Sequence, residues 1–404
     1  MTNFVKEIQS AAMTNRTSPA LTGGERTTFS QLWSLTDSFA GGLQNRDITA
    51  GDRVTIHLST PRSFLIAVYG TLRAGCVPVT VPPEYDGRAV SRVLSETDSK
   101  AVVTETSPIM SLIVDSEALR VAVTVDSDAR MGITFPSFLD NGGMNGSNSR
   151  TGIDVVRRSD DSPGLIAYVG QDEREPLAVV YTHDALQAAA TAGSSIQGTA
   201  GDDGIETHLG AAPLSNPVEL MYGANATLVG GSEYRSVAVP DVETIQSLLV
   251  TTDIDRAFVT PRQYRAVQAS ETSVDTRPLT VVESGTAPIE GRTVDGDDAV
   301  HLWGTPETGA THIRTPVDVE SDRLGRSLPD VRTRVSSGPD GDELAIGGPA
   351  VMDGYFERPD LTSETIETTE DGRWIRTGVP VQVRDETIFL ETGSDVARPS
   401  STLS

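Results

Sequence analysis

The sequence predicts an α/β protein that ends in a small β-barrel, and three observations carry that prediction. Short apolar runs of buried-strand length, such as Val54–Leu58 and Leu165–Val169, recur along the first three quarters of the chain. Segments of helical spacing separate them, and this alternation argues for parallel sheets covered on both faces. From Arg323 onward the pattern changes to short alternating strands and turns, which suggests a barrel.

Taken in order, residues 1–20 form a lead-in with one short amphipathic helix. Arg26–Leu32 is a turn feeding a helix with Ser30 as its cap, and Leu32, Leu35, Phe39 and Leu43 make an apolar stripe for burial. A turn at Ile48–Asp52 enters the strand Val54–Leu58. The helix Ser63–Gly70 follows, and Leu72–Val79 leads into a buried strand beside Cys76. A helix from Val90 precedes the strand Ser99–Thr104, and Asn141–Ser149, rich in Gly, Asn and Ser, is a surface loop. Leu165–Val169 and Leu177–Val180 are strands flanking the polar connector Gly170–Pro176, and Thr182 caps a helix that starts near Asp184. Later come a strand ending at Asn216, a helix and Gly-rich turn over Leu220–Gly231, a helix at Val242–Val250, and strands near Ala257 and Thr280. The expected division is 1–160 and 161–322 as two α/β subdomains, 323–395 as the barrel, and 396–404 as a tail.

Among 404 residues the net charge is −25, with only two lysines, Lys6 and Lys100, among 32 basic residues. Acidic excess with lysine nearly absent points to a salt-filled cytoplasm, where a strongly charged surface keeps a protein dissolved. No basic patch is available to meet phosphates, which argues against nucleic acid as a partner. One cysteine excludes an intrachain disulfide and any cysteine metal cluster. No leader peptide is visible, and no apolar run approaches the roughly 20 residues that span a bilayer, so a soluble, intracellular protein is expected. The five histidines, His57, His183, His208, His301 and His312, show no metal-ligand spacing. His183 reads as part of a helix start and His312 as part of a surface loop.

Several phrases occur in an order that resembles the adenylate-forming, AMP-binding acyl-CoA synthetases and ligases. They include Thr27-Thr-Phe-Ser-Gln-Leu32, Ala50-Gly-Asp-Arg-Val54, Leu72-Arg-Ala-Gly-Cys-Val-Pro-Val79, Pro213-Leu-Ser-Asn216 and Asp342-Glu-Leu-Ala-Ile-Gly-Gly-Pro-Ala-Val-Met-Asp-Gly-Tyr355. The resemblance covers about residues 20–395 and implies two parallel-type sheets in a layered αβαβα arrangement plus a small distorted β-barrel. It carries the expectation that the family's small C-terminal domain, with its adenylation lysine, is missing after Ser404. ATP and Mg²⁺ are the ligands such a family implies. The nucleotide-binding candidates it implies are Thr182, Gly285, Thr286, Ala287, Trp303, Gly304, Thr305 and Glu307. Trp303 would offer a flat face to a purine, Glu307 would hold Mg²⁺ and stands as the catalytic candidate, and Asn216 would lie beside the acyl pocket.

The departures from the pattern fall on the chemistry. Gln171, Asp172, Glu173, Arg174 and Leu177 stand where the family's phosphate loop has glycines, hydroxyls and a lysine. Pro306 replaces a threonine, Val379 the ribose-binding aspartate, and Ser394 an arginine. A carboxylate about 5 Å from a phosphate repels it by roughly 3 kcal/mol at an effective dielectric near 20, and a loop whose family glycine positions carry side chains cannot bring its amides close. The expected function is therefore a pseudoenzyme of this family that binds an acyl or carboxylate ligand or regulates a full-length active paralogue. A working or split AMP-forming ligase with an unusual loop is the alternative.

Overall fold

The computed structural model describes residues 3–105, 116–125, 132–140, 156–169, 177–196, 206–237, 240–270, 273–284, 299–315, 323–338, 341–385 and 387–391. They form two large sheets and a curled antiparallel half-barrel. The first sheet has eight strands in the spatial order Gly354–Tyr355, Leu177–Thr182, Pro163–Val169, Val77–Thr80, Arg53–His57, Ala101–Thr104, Val121–Thr124, Ile133–Thr134. Its members from Pro163–Val169 to Ile133–Thr134 pair in parallel, and the first two add antiparallel. The second has nine, and its centre runs Val300–Thr305, Leu279–Ser284, Arg256–Val259, Thr207–Gly210, Glu233–Ser236 in parallel.

Alternation along the strands decides which helices pack where. In Pro163–Val169, Leu165, Ala167 and Val169 face the central core, while Ile166 and Tyr168 face the helix Gly87–Glu96. In Arg256–Val259, Phe258 faces the same central core, and Ala257 and Val259 face the helices Val242–Thr251 and Pro261–Gln268. Helices Val5–Thr14, Phe29–Gln44, Pro61–Arg73 and His183–Ser194 supply the central core between the sheets. The result is the five-layer αβαβα order that the resemblance implied. Strand exchange ties the layers together. Strands Pro19–Thr22 and Thr27–Thr28 join the second sheet, and Gly354–Tyr355 returns to the first.

The half-barrel orders Arg332–Gly338, Gly341–Gly347, Gly372–Arg384 and Ile366–Thr369, with Thr387–Leu390 paired to the far half of the long strand. Two local readings are corrected. The cap of the helix Phe29–Gln44 is Thr28, not Ser30: Thr28 and Gln31 satisfy each other's backbone N–H in a capping box. His312 is no surface-loop residue but lies in the strand Gly309–Arg314, 2 % exposed. No helix among the described residues is long and apolar enough to cross a membrane.

Candidate nucleotide-binding site

The site candidates on the second sheet sit on one hairpin, Val300–Thr305 and Gly309–Arg314, whose tip is Pro306-Glu307-Thr308. Thr308 organises the tip: its hydroxyl accepts from Thr305 N at 3.0 Å and donates to the Gly309 carbonyl at 2.9 Å. Gly309 takes φ +65°, and a Cβ there would overlap the Tyr222 hydroxyl, so glycine is required on both counts. Tyr181 donates its hydroxyl to the Pro306 carbonyl, and Met352 N donates to the Glu307 carbonyl at 2.8 Å. The Tyr355 hydroxyl reaches Glu307 Oε1 at 2.7 Å. Glu307 is 5 % exposed, so its carboxylate is a buried group lodged between the hairpin and the first sheet. Burial together with the Glu307 charge pushes the Tyr181 phenol well above its ordinary range.

Trp303 lies on the same hairpin with its ring turned into the half-barrel. It packs with Leu324, Leu344, Ile346, Val379, Val381 and Leu390 and is 3 % exposed. Its edge meets the His312 ring at a centroid distance of 6.2 Å. Val379 follows Gly378, whose φ of +68° turns the strand and whose amide donates to Glu343 Oε2 at 2.9 Å. The Val379 side chain is 2 % exposed in the cluster with Trp303.

The structure thus brings Trp303, Gly304, Thr305, Pro306, Glu307 and Val379 to the junction of hairpin and half-barrel. Thr182 follows Tyr181 on the strand that reaches the tip, but its hydroxyl is taken up by a helix. That hydroxyl accepts from Ala185 N at 3.1 Å as a helix cap. It stands five residues along its strand from Leu177, or about 17 Å. Leu177 is itself a buried strand residue next to the polar connector. Asn216 is half-buried and uses its side-chain oxygen to accept from Val218 N at 2.9 Å, capping the helical stretch 217–229. Gln171, Asp172, Glu173, Arg174, Gly285, Thr286, Ala287 and Ser394 lie outside the described residues. No group of three or more His, Cys, Asp or Glu side chains arranged to hold a metal occurs among the described residues.

Sequence reasoning missed the three tyrosines around the tip, Tyr181, Tyr222 and Tyr355. Only Tyr355 had a signal, as the last residue of a phrase already singled out. It also missed a buried polar chain behind them. Arg256 Nε donates to His208 Nδ1 at 2.9 Å, His208 Nε2 donates to Glu219 Oε1 at 3.0 Å, and Tyr234 donates to the same oxygen at 2.9 Å. All four side chains are at most 1 % exposed. Residues that far apart in sequence carry no local pattern.

A family model described as AMP-binding enzyme matches residues 8–356. The chain belongs to the AMP-binding enzyme family. Among curated relatives of this AMP-binding protein is a probable CoA ligase, CCL5, of Humulus lupulus, 25 % identical over 394 residues, covering 88 % of this chain and 67 % of the relative. Among solved structures, a long-chain-fatty-acid-CoA ligase (FadD1) from Archaeoglobus fulgidus superposes with TM-score 0.81 at 17 % identity, covering 97 % of this chain and 84 % of that one. The N-terminal domain of FACL13 from Mycobacterium tuberculosis gives TM-score 0.80 at 19 % identity, covering 97 % and 99 %. The chain is thus an acyl-CoA ligase homologue at low identity, with the fold of that N-terminal domain.

Proposed function

We propose that this AMP-binding family member is impaired in adenylation and acts as a pseudoenzyme, holding an acyl or carboxylate ligand or regulating an active paralogue. One observation carries the reading. The position where the family resemblance implies a ribose-binding carboxylate is Val379, buried in the apolar cluster that also takes the Trp303 ring. Each charge-assisted bond that a carboxylate would make there is worth about 1.5–3 kcal/mol, and valine makes none.

The residues present fit ATP and Mg²⁺ poorly on two further counts. Pro306 has no amide or hydroxyl to offer a phosphate, and its carbonyl is taken by Tyr181. Glu307 is buried with one oxygen engaged by Tyr355, poorly placed for Mg²⁺, which dehydrates reluctantly and keeps several waters. The acidic, lysine-poor composition supports a high-salt cytoplasm as the working medium.

Calorimetric titration with ATP and Mg²⁺, paired with ATP–pyrophosphate exchange over a panel of carboxylic acids in molar KCl, tests the proposal. No heat of binding and no exchange are expected. Exchange with any acid would overturn it. The buried Glu307 on its ordered tip favours the second reading, a working or split ligase. That reading requires exchange to appear when a separately expressed C-terminal domain of a relative is added.

A further inference from the structure

Helical stretch 217–229 changes pitch in its middle. Leu220 N bonds Asn216 O, and Gly230 N bonds Ala226 O, both four residues back. Between them, Glu219–Ala224 is a π-helical turn, and Asn225 N reaches back five residues to Leu220 O. Such a turn is a poor solution for an isolated helix and persists where surroundings impose it. Here the surroundings are the buried polar chain. Arg256 Nη2 donates to the Tyr222 carbonyl at 3.3 Å, while Nη1 takes Gly193 O at 2.6 Å and Ile196 O at 2.9 Å. Because Arg256 Nε donates to His208 Nδ1, His208 is neutral and must carry its proton on Nε2, which fixes its bond to Glu219. Guanidinium, imidazole and carboxylate thus run from the sheet into the π turn.

We propose that Glu219–Ala224 is a two-register latch, held in the π register by the Arg256–His208–Glu219 chain. Its release lets stretch 217–229 return to α pitch and turns Tyr222 out of its seat against Gly309. Two features mark the held state as poised rather than locked. Glu219 Oε2 is buried with no hydrogen-bond partner among the described residues, and the buried Tyr222 hydroxyl has only the Ala310 backbone nearby, outside normal hydrogen-bond geometry, so this register leaves polar groups poorly met. Glycines stand where the turn needs clearance: a Cβ on Gly193 would overlap the Tyr222 carbonyl, and one on Gly309 its hydroxyl. A narrow crevice between Tyr222, Thr308, Ala310 and Ala188 borders the seat and would widen as the ring leaves. Gly309 lies two residues past Glu307 on the same tip, so the latch controls what stands behind that tip. The inference holds whether or not the chain adenylates.

Hydrogen exchange read by mass spectrometry on the full chain tests it. In the wild type, amides 219–226 should exchange about tenfold faster than those of the flanking strands Thr207–Gly210 and Arg256–Val259. Glu219→Gln, which keeps the shape and removes the charge, should speed the helical amides by a further factor of about ten and leave the strands unchanged. Tyr222→Phe, which keeps the ring and removes the poorly met hydroxyl, should slow them several-fold. Wild-type helical amides no faster than the strands would refute the latch, as would Glu219→Gln accelerating helix and strands alike. If Glu219→Gln does not fold, Tyr222→Phe decides alone, and unchanged or faster exchange in that variant refutes the proposal.

Discussion

A carboxylate at position 379 would face Leu344, Val381 and the indole of Trp303 rather than water. Val379→Asp is therefore expected to destabilise the fold by about 3 kcal/mol or more at neutral pH, with a smaller loss in acid where the new group protonates. Guanidinium unfolding curves at two pH values would check this, and a neutral effect would mean the cluster opens readily. The same variant should gain no ATP binding, because the loop and Pro306 are unchanged. Tyr355→Phe removes the donor to buried Glu307 and should cost about 1.5–3 kcal/mol, measurable in the same curves. At this scale the sequence leaves each residue with two fates, and burial chooses between them. Trp303 is readable as a purine face or a core aromatic, and it is 3 % exposed. Glu307 is readable as an exposed loop carboxylate, yet it is tied to Tyr355, a partner 48 residues away. No local pattern announces such a partner.

Elements are legible wherever period and capping agree. The two strands and the capped helix from Leu165 onward have their expected order, with the helix at His183–Ser194 behind its Thr182 cap. The π turn is illegible, because what imposes it is Arg256, a residue on a strand far along the chain. His312 is misplaced by sequence reasoning for a related reason: a histidine in a strand pairs its nitrogens with neighbours that its own segment does not reveal, here Thr311 on one side and Ser327 and Thr333 on the other. Burial pushes the imidazoles of His183 and His312 down to about 4. Their folded values lie below the unfolded one near 6.5, so both contribute stability fully above pH 6.5. That contribution is lost as pH falls from about 6.5 toward 4, by roughly 1–3 kcal/mol for each histidine. His312→Gln should flatten the stability profile across that window, and an unaltered slope would exclude His312 as a contributor.

For the molecule as a whole, alternation of strands and helices is enough to predict layered sheets, since each sheet must bury both faces. Strand exchange between the sheets is out of reach, because a strand's own residues do not say which distant edge it joins. Composition, by contrast, acts at this scale directly. With 57 acidic residues against 32 basic ones, carboxylates far outnumber the cations that could pair with them. Exposed pairs such as Arg277–Asp275 and Arg373–Asp353 are each worth about 0–1 kcal/mol. Salt pushes stability in opposite directions here: it weakens those pairs and screens the repulsion among the surplus carboxylates. The Debye length shrinks from about 10 Å at 0.1 M to about 3 Å at 1 M, which removes most carboxylate repulsion across the surface. A charge of −25 makes that repulsion outweigh the pairs. The melting temperature should therefore climb by several degrees as KCl is raised from about 0.1 M to about 2 M. Sucrose at matched osmolality separates this screening from general exclusion effects, because it leaves the charges unscreened and should give a smaller rise. A melting temperature that falls with KCl would mean that the surface ion pairs outweigh the repulsion, and the high-salt reading of the composition would fall with it.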